Sequence, residues 1–447
     1  MKRSAWRYIW SAQDIRRKLL ITLLILAIYR FCAHIPVPGA DRSVILSIME
    51  GGGAGSTLVG LLDLLSGGTV SQFSVMAMGV YPYITAQIIL QLLVPIVPAF
   101  QKRMEEDPRE GQKWMEKWTY FLAVPMAALQ AIGQINIFTS IARQPVVPNF
   151  GFTNGNIIPS LTVVLTMTAG TMFAIWLGEL ISEFGVRNQG LSLIIFAGIV
   201  SRIPAAIISI MSDVQNRWFL LTFELIITVG VIFAIVFVQQ GRRNVPVMYP
   251  GRRVGNRMSM PVKGTLPLMV NMAGMIPLIF AQSLLTFPAI LASFFMASQV
   301  SWIGNAAATV QRLFGGQSTF YYIVYFLLVV GFTFFYTNVL FAQQNYGENL
   351  KKVGAQIPGV SRGAPTQKYL TRVLSRITLP GALFLGIIAI LPWLLGLFIP
   401  AMSSSSKTNL FVTSAGLLIV VGVVRDLFFN IEAELKLHGY DDTLLVR

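Results

Sequence analysis

Cysteine and histidine are almost missing from this 447-residue chain, which has one thiol, Cys32, and two imidazoles, His34 and His438. A single cysteine excludes any disulfide within the chain. Two histidines near opposite ends leave too few parts for a zinc site or a His-based catalytic triad. Charge is scarce as well, at 12% of residues, where soluble domains carry roughly 25%. Apolar residues make up 54% of the chain. Their runs recur from end to end, and about 20 such residues suffice to cross a hydrocarbon core of about 30 Å. The chain therefore reads as a polytopic membrane protein. Its first run follows RRKLL and ends in YRFCAHIPVPG, which has no small-x-small cleavage site. That run is expected to be a retained span, not a signal peptide.

Ten apolar segments are expected to be helices, near 17–36, 74–98, 118–138, 157–183, 190–213, 216–240, 267–295, 318–344, 370–399 and 408–430. They are too long for barrel strands, and lipid admits no third option. If connections alternate sides from the N-terminus, its side carries 26 Lys and Arg, and the opposite loops carry 5. The positive-inside rule then places both termini in the cytoplasm. Ten helices divide into halves of five, 1–213 and 214–447, and an odd number inverts the second half. Such inverted repeats place a functional path at their interface. The net charge of +15 follows mostly from this orientation. Two basic, Gly- and Pro-containing loops on the same face exceed it, 239–266 (QQGRRNVPVMYPGRRVGNRMSMPVKG at its start) and 345–372 (NYGENLKKVGAQIPGVSRGAPTQKYLTR). These could dock an acidic protein or RNA phosphate.

Ionisable groups in a membrane are costly and usually mark function. Here they are few: Glu179 and Glu183 near the inner end of the fourth segment, Glu224 in the sixth, and Asp426 beside Arg425 after the tenth. The first two are expected to pair with nearby Lys or Arg at the interface. No mid-depth carboxylate cluster points to ion coupling, and no metal set, nucleophile motif or phosphate loop points to an enzyme or a cofactor. An ion-coupled secondary transporter or a lipid-linked sugar flippase remains the alternative to a channel, and a membrane scaffold without a path is a third class.

Irregular backbone falls in defined places. In LLDLLSGGTVSQFSVMAMGVYPYITAQIILQLL the run from about Leu58 to Gly67 is too short to cross, and SGGTVSQ follows it. This reads as a re-entrant half helix, tolerable only where protein or water surrounds it. Gly79 with Pro82, and Gly274 with Pro277, are expected to break the second and seventh helices, giving two surfaces that can part.

SGGTVSQFSVMAMGVYPYITAQIILQLL resembles the plug and second helix of the SecY family, the channel subunits of bacterial protein translocases. TAGTMFAIWLGELISEFG, SLIIFAGIV, VNMAGMIPLIFAQSLLTFPA, NLKKVGAQIPGV and GLLIVVGVVRD resemble the family in the same order, so the likeness spans nearly the whole chain. It implies an all-α protein of ten transmembrane helices, in two inverted five-helix halves around a central pore with a re-entrant plug at 58–67. The implied pore ring is Val80, Ile84, Ile195, Ile199, Ile279 and Ile419. The implied plug and hinge residues are Leu61, Leu62, Asp63, Leu64, Gly67 and Gly68. A lateral gate between the second and seventh helices takes Thr85, Ser283 and Phe287. Docking of a SecA motor or a ribosome, its protein and rRNA, falls to Arg242, Arg243, Arg252, Arg253, Lys351, Lys352 and Arg362. The family's arginine stands two residues after the Pro-Gly of the second loop, where this chain has Ser361, with Arg362 one later. NQGLSLII departs from the family's glycine-rich turn, and Arg202, past Ile199, is unusual and is expected to face the outer funnel. The resemblance also implies SecE and SecG as partner subunits, signal peptides and nascent chains as cargo, contact with membrane lipids, and location in the bacterial cytoplasmic (inner) membrane.

Overall fold

The computed structural model describes residues 13–41, 44, 69–70, 73–142, 144–148, 150–151, 156–187, 189–211, 217–250, 253–254, 257–258, 262–295, 300–314, 318–398 and 414–437. The expected plug, with Leu61, Leu62, Asp63, Leu64, Gly67 and Gly68, lies outside them, as does Arg252.

Helices dominate. They are α1 (Gln13–Cys32), α2 (Tyr81–Ile96), α3 (Pro98–Glu106), α4 (Pro108–Ala142), α5 (Ile157–Phe184), α6 (Gly190–Met211), α7 (Arg217–Gln240), α8 (Ile276–Phe295), α9 (Ser301–Phe314), α10 (Thr319–Gln344), α11 (Tyr346–Lys352), α12 (Ala364–Phe398) and α13 (Ser414–Leu437). Each of the ten apolar segments coincides with one of them. Among the described residues, six helices are long and apolar enough to cross a membrane. A seventh is obtained if α2 and α3, bent by 94° where they join, count as one span. The outward faces are apolar: Phe233 and Phe237 of α7 are each 73% exposed, as lipid-facing side chains should be. α8 is the opposite case, with 67% of its apolar window buried against 17% for α7. The protein is thus a multi-pass helical membrane protein with α8 near its centre.

The second and seventh apolar segments do not kink in mid-helix. Each opens with turns and becomes helical late. Gly79 (φ 50°) and Gly274 (φ 64°) adopt left-handed backbone, which glycine takes without a Cβ penalty. The helix begins two residues later in both, at Tyr81 and Ile276. Pro82 and Pro277 therefore sit in the first turn, where a missing N–H breaks no helical bond. Gly79-Val80-Tyr81-Pro82 and Gly274-Met275-Ile276-Pro277 are one device used twice. Apolar composition continues through both turns, which is why they read as helix from sequence.

These turns survive because protein surrounds them. Thr69 Oγ1 donates to the Met76 carbonyl at 2.6 Å, and Val75 N–H donates to the Ile35 carbonyl at 2.9 Å. Asn271 holds the second turn, its Oδ1 accepting from Gly274 N–H at 2.9 Å. The 73–80 stretch also presses on α5, where a Cβ on Gly170 would stand 2.1 Å from the Val75 carbonyl oxygen.

One β-hairpin interrupts the helical plan. β1 (Arg242–Tyr249) pairs antiparallel with β4 (Val262–Met269), from Arg242↔Met269 to Tyr249↔Val262, and β2 (Arg253–Val254) pairs with β3 (Arg257–Met258) at its tip. The all-α architecture expected from sequence holds, with this hairpin added to it. Val245 and Val247 are buried while Asn244 and Pro246 are exposed, an alternation of period two that marks a half-buried strand.

Gly170→Ala is expected to destabilise the protein by about 1–3 kcal/mol, because the backbone of Val75 cannot yield to a new methyl without losing its bonds. Thermal unfolding of the detergent-solubilised protein should show a lowered midpoint. A midpoint equal to the parent's would mean that the contact at Val75 relaxes freely.

Candidate functional site

The six aliphatic residues singled out from sequence all belong to, or pack against, the large central core. Val80, Ile195, Ile199, Ile279 and Ile419 belong to one buried cluster, none more than 7% exposed, and the half-buried Ile84 packs against it. They arrive from separate elements: Val80 from the turn before α2, Ile84 from α2, Ile195 and Ile199 one helical turn apart on α6, Ile279 from α8 and Ile419 from α13. Aliphatic side chains offer no hydrogen-bond partner to water, ions or peptide, though the same core also holds Tyr29, Tyr81, Tyr83, Tyr321 and Tyr325.

A polar seam runs beside it between α2, α4 and α8. Thr85 Oγ1 donates to the Tyr81 carbonyl at 2.9 Å and accepts from Gln130 Nε2 of α4 at 3.3 Å. The Tyr81 hydroxyl meets Thr286 Oγ1 of α8 at 2.7 Å. Thr286 Oγ1 also lies 3.0 Å from the Gln282 carbonyl of its own helix, and either hydroxyl can donate in the pair with Tyr81. Ser283 is buried on the same seam, and Phe287 is half-buried. A small cavity lined by Met78, Tyr81, Gln130, Gln134, Ile137 and Ile290 lies against it. Sequence reasoning named Thr85, Ser283 and Phe287 and missed Tyr81 and Thr286, which stand 205 positions apart.

The two basic loops form one platform. Met248 and Gln356 exchange backbone hydrogen bonds, each 2.8 Å, which ties β1 to the loop before α12. Val245, Val247 and Leu268 of the hairpin share a buried cluster with Ala355, Ile357, Leu370 and Leu374 and with Phe341 of α10. Arg242, Arg243, Lys351, Lys352 and Arg362 are all exposed around it, as is Ser361. Arg253 lies in β2, paired with Met258.

The acidic residues do not organise a site. Glu179 and Glu183 are exposed, and the charges acting on Glu179 come from Glu116 and Glu183, both acidic. Pairing with a cation, as expected for these two, is not found among the described residues. Asp426 accepts from Arg425 at 2.9 Å, and Glu224 is buried in α7.

Two solved structures share the fold. One is described as "The structure of a protein conducting channel", with TM-score 0.62 at 16% identity, covering 96% of this chain and 95% of that one. The other, "The plug domain of the SecY protein stablizes the closed state of the translocation channel and maintains a membrane seal", gives TM-score 0.61 at 17% identity over the same shares. The fold is therefore that of a membrane-embedded channel. The SecY family model matches residues 74–428. A protein translocase subunit SecY of Streptomyces scabiei is 38% identical over 451 residues, 99% of each chain. One from Mycobacterium tuberculosis (strain ATCC 25618 / H37Rv) is 38% identical over 447 residues, 96% of this chain and 97% of that one. This chain belongs to the SecY family.

The Met248–Gln356 bridge gives a direct test of the platform. Gln356→Pro removes the N–H that Met248 accepts from and should separate the loops. Hydrogen exchange across 244–249 is expected to accelerate severalfold, with the transmembrane helices unchanged. Unaltered exchange in the hairpin would mean that the buried side chains alone hold the two loops together.

Proposed function

We propose that this chain is the protein-conducting channel of a bacterial cytoplasmic membrane, translocating signal-bearing polypeptides across it and releasing transmembrane segments sideways into lipid. The observation that carries the reading is that Val80, Ile84, Ile195, Ile199, Ile279 and Ile419, from the turn before α2, α2, α6, α8 and α13, share one central core. A constriction of this chemistry blocks ions by dewetting. It offers a sliding peptide no specific bond, so sequence is no obstacle to passage. A coupled transporter or a sugar flippase would need polar groups at that point to hold its substrate.

The ten helical segments then serve as ten spans, in halves 1–213 and 214–447, with both termini cytoplasmic. The paired Gly-x-x-Pro devices at the starts of α2 and α8 fit two halves built on one plan. The seam of Thr85, Ser283 and Phe287 is the lateral gate, and residues 58–67 supply the plug. SecE and SecG are the partner subunits. The basic loops with Arg242, Arg243, Arg252, Arg253, Lys351, Lys352 and Arg362 receive SecA or a ribosome, because clustered cations favour acidic protein or RNA phosphate, and Arg242, Arg243, Lys351, Lys352 and Arg362 are exposed. Proteoliposomes holding this chain with SecE and SecG should import a signal-bearing preprotein when SecA and ATP are supplied. Import equal to that of empty liposomes would end the channel reading.

Replacing Ile279 by Asn loses roughly 1.5–3 kcal/mol of apolar burial in the closed constriction, and the amide attracts water that the open pore supplies. An equilibrium of a few kcal/mol is displaced by that amount. Ile279→Asn is expected to raise ion conductance of the resting channel and to admit preproteins with defective signals, at near-normal membrane levels. Planar-bilayer conductance indistinguishable from the parent's would count against the ring.

Reversing Arg242 and Arg243 to Glu should weaken SecA or ribosome binding in a co-sedimentation assay. The difference from the parent is expected to shrink as salt rises, since exposed charges are screened over about 8–10 Å at physiological ionic strength. Equal binding at low salt would place docking elsewhere.

A further inference from the structure

We propose that Tyr321 and Tyr325 of α10 form a rail for polypeptide backbone, their hydroxyls donating to the carbonyls of an extended chain in transit. This deepens the channel reading above and rests on it. The two tyrosines are one helical turn apart, with ring centroids separated by 5.9 Å. They are 1% and 4% exposed and belong to the same central core as Val80, Ile195, Ile279 and Ile419. Tyr321 lies within electrostatic reach of Tyr81 at the head of α2. Both hydroxyl oxygens are closed off from solvent, and neither has a hydrogen-bond partner among the described residues.

Buried hydroxyls are normally paired, because an unmet donor in apolar surroundings is unfavourable. The next polar residue on this face of α10 obeys that rule. Thr333, two turns further on and buried, donates to the Val329 carbonyl of its own helix at 2.7 Å. A phenol cannot do the same, since its ring carries the oxygen beyond the carbonyl of the preceding turn. Phenylalanine would fill the same space with no donor left unmet, as the buried Phe341 does near the other end of α10. The resting core therefore holds two donors that only an arriving acceptor can satisfy.

A chain in transit brings such acceptors at the right interval. In an extended strand every second carbonyl points the same way, and two residues span about 6.6–6.8 Å. Four residues of helix rise about 6 Å. Two phenols one turn apart can thus meet two carbonyls on one side of a strand lying along α10. Every residue carries that carbonyl, so the rail binds backbone whatever the side chains are. It also offsets a cost that the aliphatic residues impose, since a peptide group that leaves water among Val and Ile finds no partner there.

The test uses the complete channel with SecE and SecG in proteoliposomes, driven by SecA and ATP. One arm measures contact. A preprotein carrying a single cysteine is halted in transit by a tightly folded domain at its end, in a channel with Cys32 replaced. Tyr321→Cys and Tyr325→Cys are expected to form disulfides with the halted chain. Ile323→Cys and Leu327→Cys, on the outward face at 54% and 62% exposure, are expected not to. A second arm measures rate. Interhelical hydrogen bonds in membranes correspond to factors of roughly 3 to 16 in an equilibrium. Tyr321→Phe and Tyr325→Phe are each expected to slow import within that range. The loss should be equal for passing segments rich in Gly and Ser and for segments rich in Ala and Leu. The thermal midpoint of the resting channel should not fall, because each variant only removes an unmet donor.

Import at the parental rate in both Phe variants, a loss confined to one kind of segment, or no disulfide at 321 and 325 would overturn the rail. So would a lowered midpoint that accounts for the loss of import, which would make the hydroxyls structural. If the parent channel imports nothing, the channel reading fails and the rail with it. If the parent imports and the Phe variants match it, the rail alone fails.

Discussion

Hydrocarbon offers a peptide no partner for its N–H and C=O groups, so every residue that leaves a helix at membrane depth must be satisfied by protein. The stretch from Phe73 to Val80 meets this demand at several points. Val37 N–H donates to the Phe73 carbonyl, Val75 N–H to Ile35, and the Thr69 hydroxyl to Met76. Glycine at position 170 lets α5 come close enough to cover it. Once that stretch is fixed, Val80 is delivered to the aliphatic cluster and Tyr81 to the seam. The centre of the molecule thus depends on backbone bonds made by a segment that is not a helix.

The same constraint divides the contacts between halves. Away from the seam, α13 packs against α6, and α1 and α13 are joined by Lys18 and Glu434 at 2.6 Å, with Ile15 against Ile431. A partly exposed ion pair of this kind contributes roughly 0.2–1 kcal/mol, so the apolar contact beside it matters as much. Across the seam, α8 meets α2 through the Tyr81–Thr286 pair and meets α4 through close apolar contact, with Gly133 of α4 against Ile290 and Phe294 of α8 and Ala127, Ala131 and Ile135 in the same buried cluster as Ala289 and Ile290. Apolar packing between helices gains little over packing against lipid tails, so helix association in a membrane relies on close fit and hydrogen bonds. The seam has both.

Much of this was readable beforehand because long apolar runs need no periodicity to be recognised. Each of the ten runs contains a helix. Apolarity does not report backbone conformation, however, so residues 74–80 read as helix and Gly79 and Pro82 as its kink. The structure places the turn first and the proline in the opening helical turn. The hairpin was hidden for a different reason. Pro246, Gly264 and Pro267 look like loop residues, and they mask the alternation of Val245 and Val247 that the strand carries. The ring residues came from resemblance alone, since an isolated Val or Ile carries no chemical mark of its place. Tyr81 and Thr286 carry no local sign either, because only the fold brings them together.

The aliphatic cluster and the seam place opposite demands on a passing chain. A constriction of Val and Ile distinguishes peptides by bulk and hardly by composition, because it forms no directional bonds. On the proposed reading, directional bonds near the centre lie along α2, α4 and α8, in the Tyr81–Thr286 and Thr85–Gln130 pairs. On that reading Val80 and Ile84 serve passage and Tyr81 and Thr85 serve sideways release. Val80 caps α2 and Ile84 lies within it, and each precedes its polar counterpart by one position, which turns the two sets about 100° apart around the start of the helix.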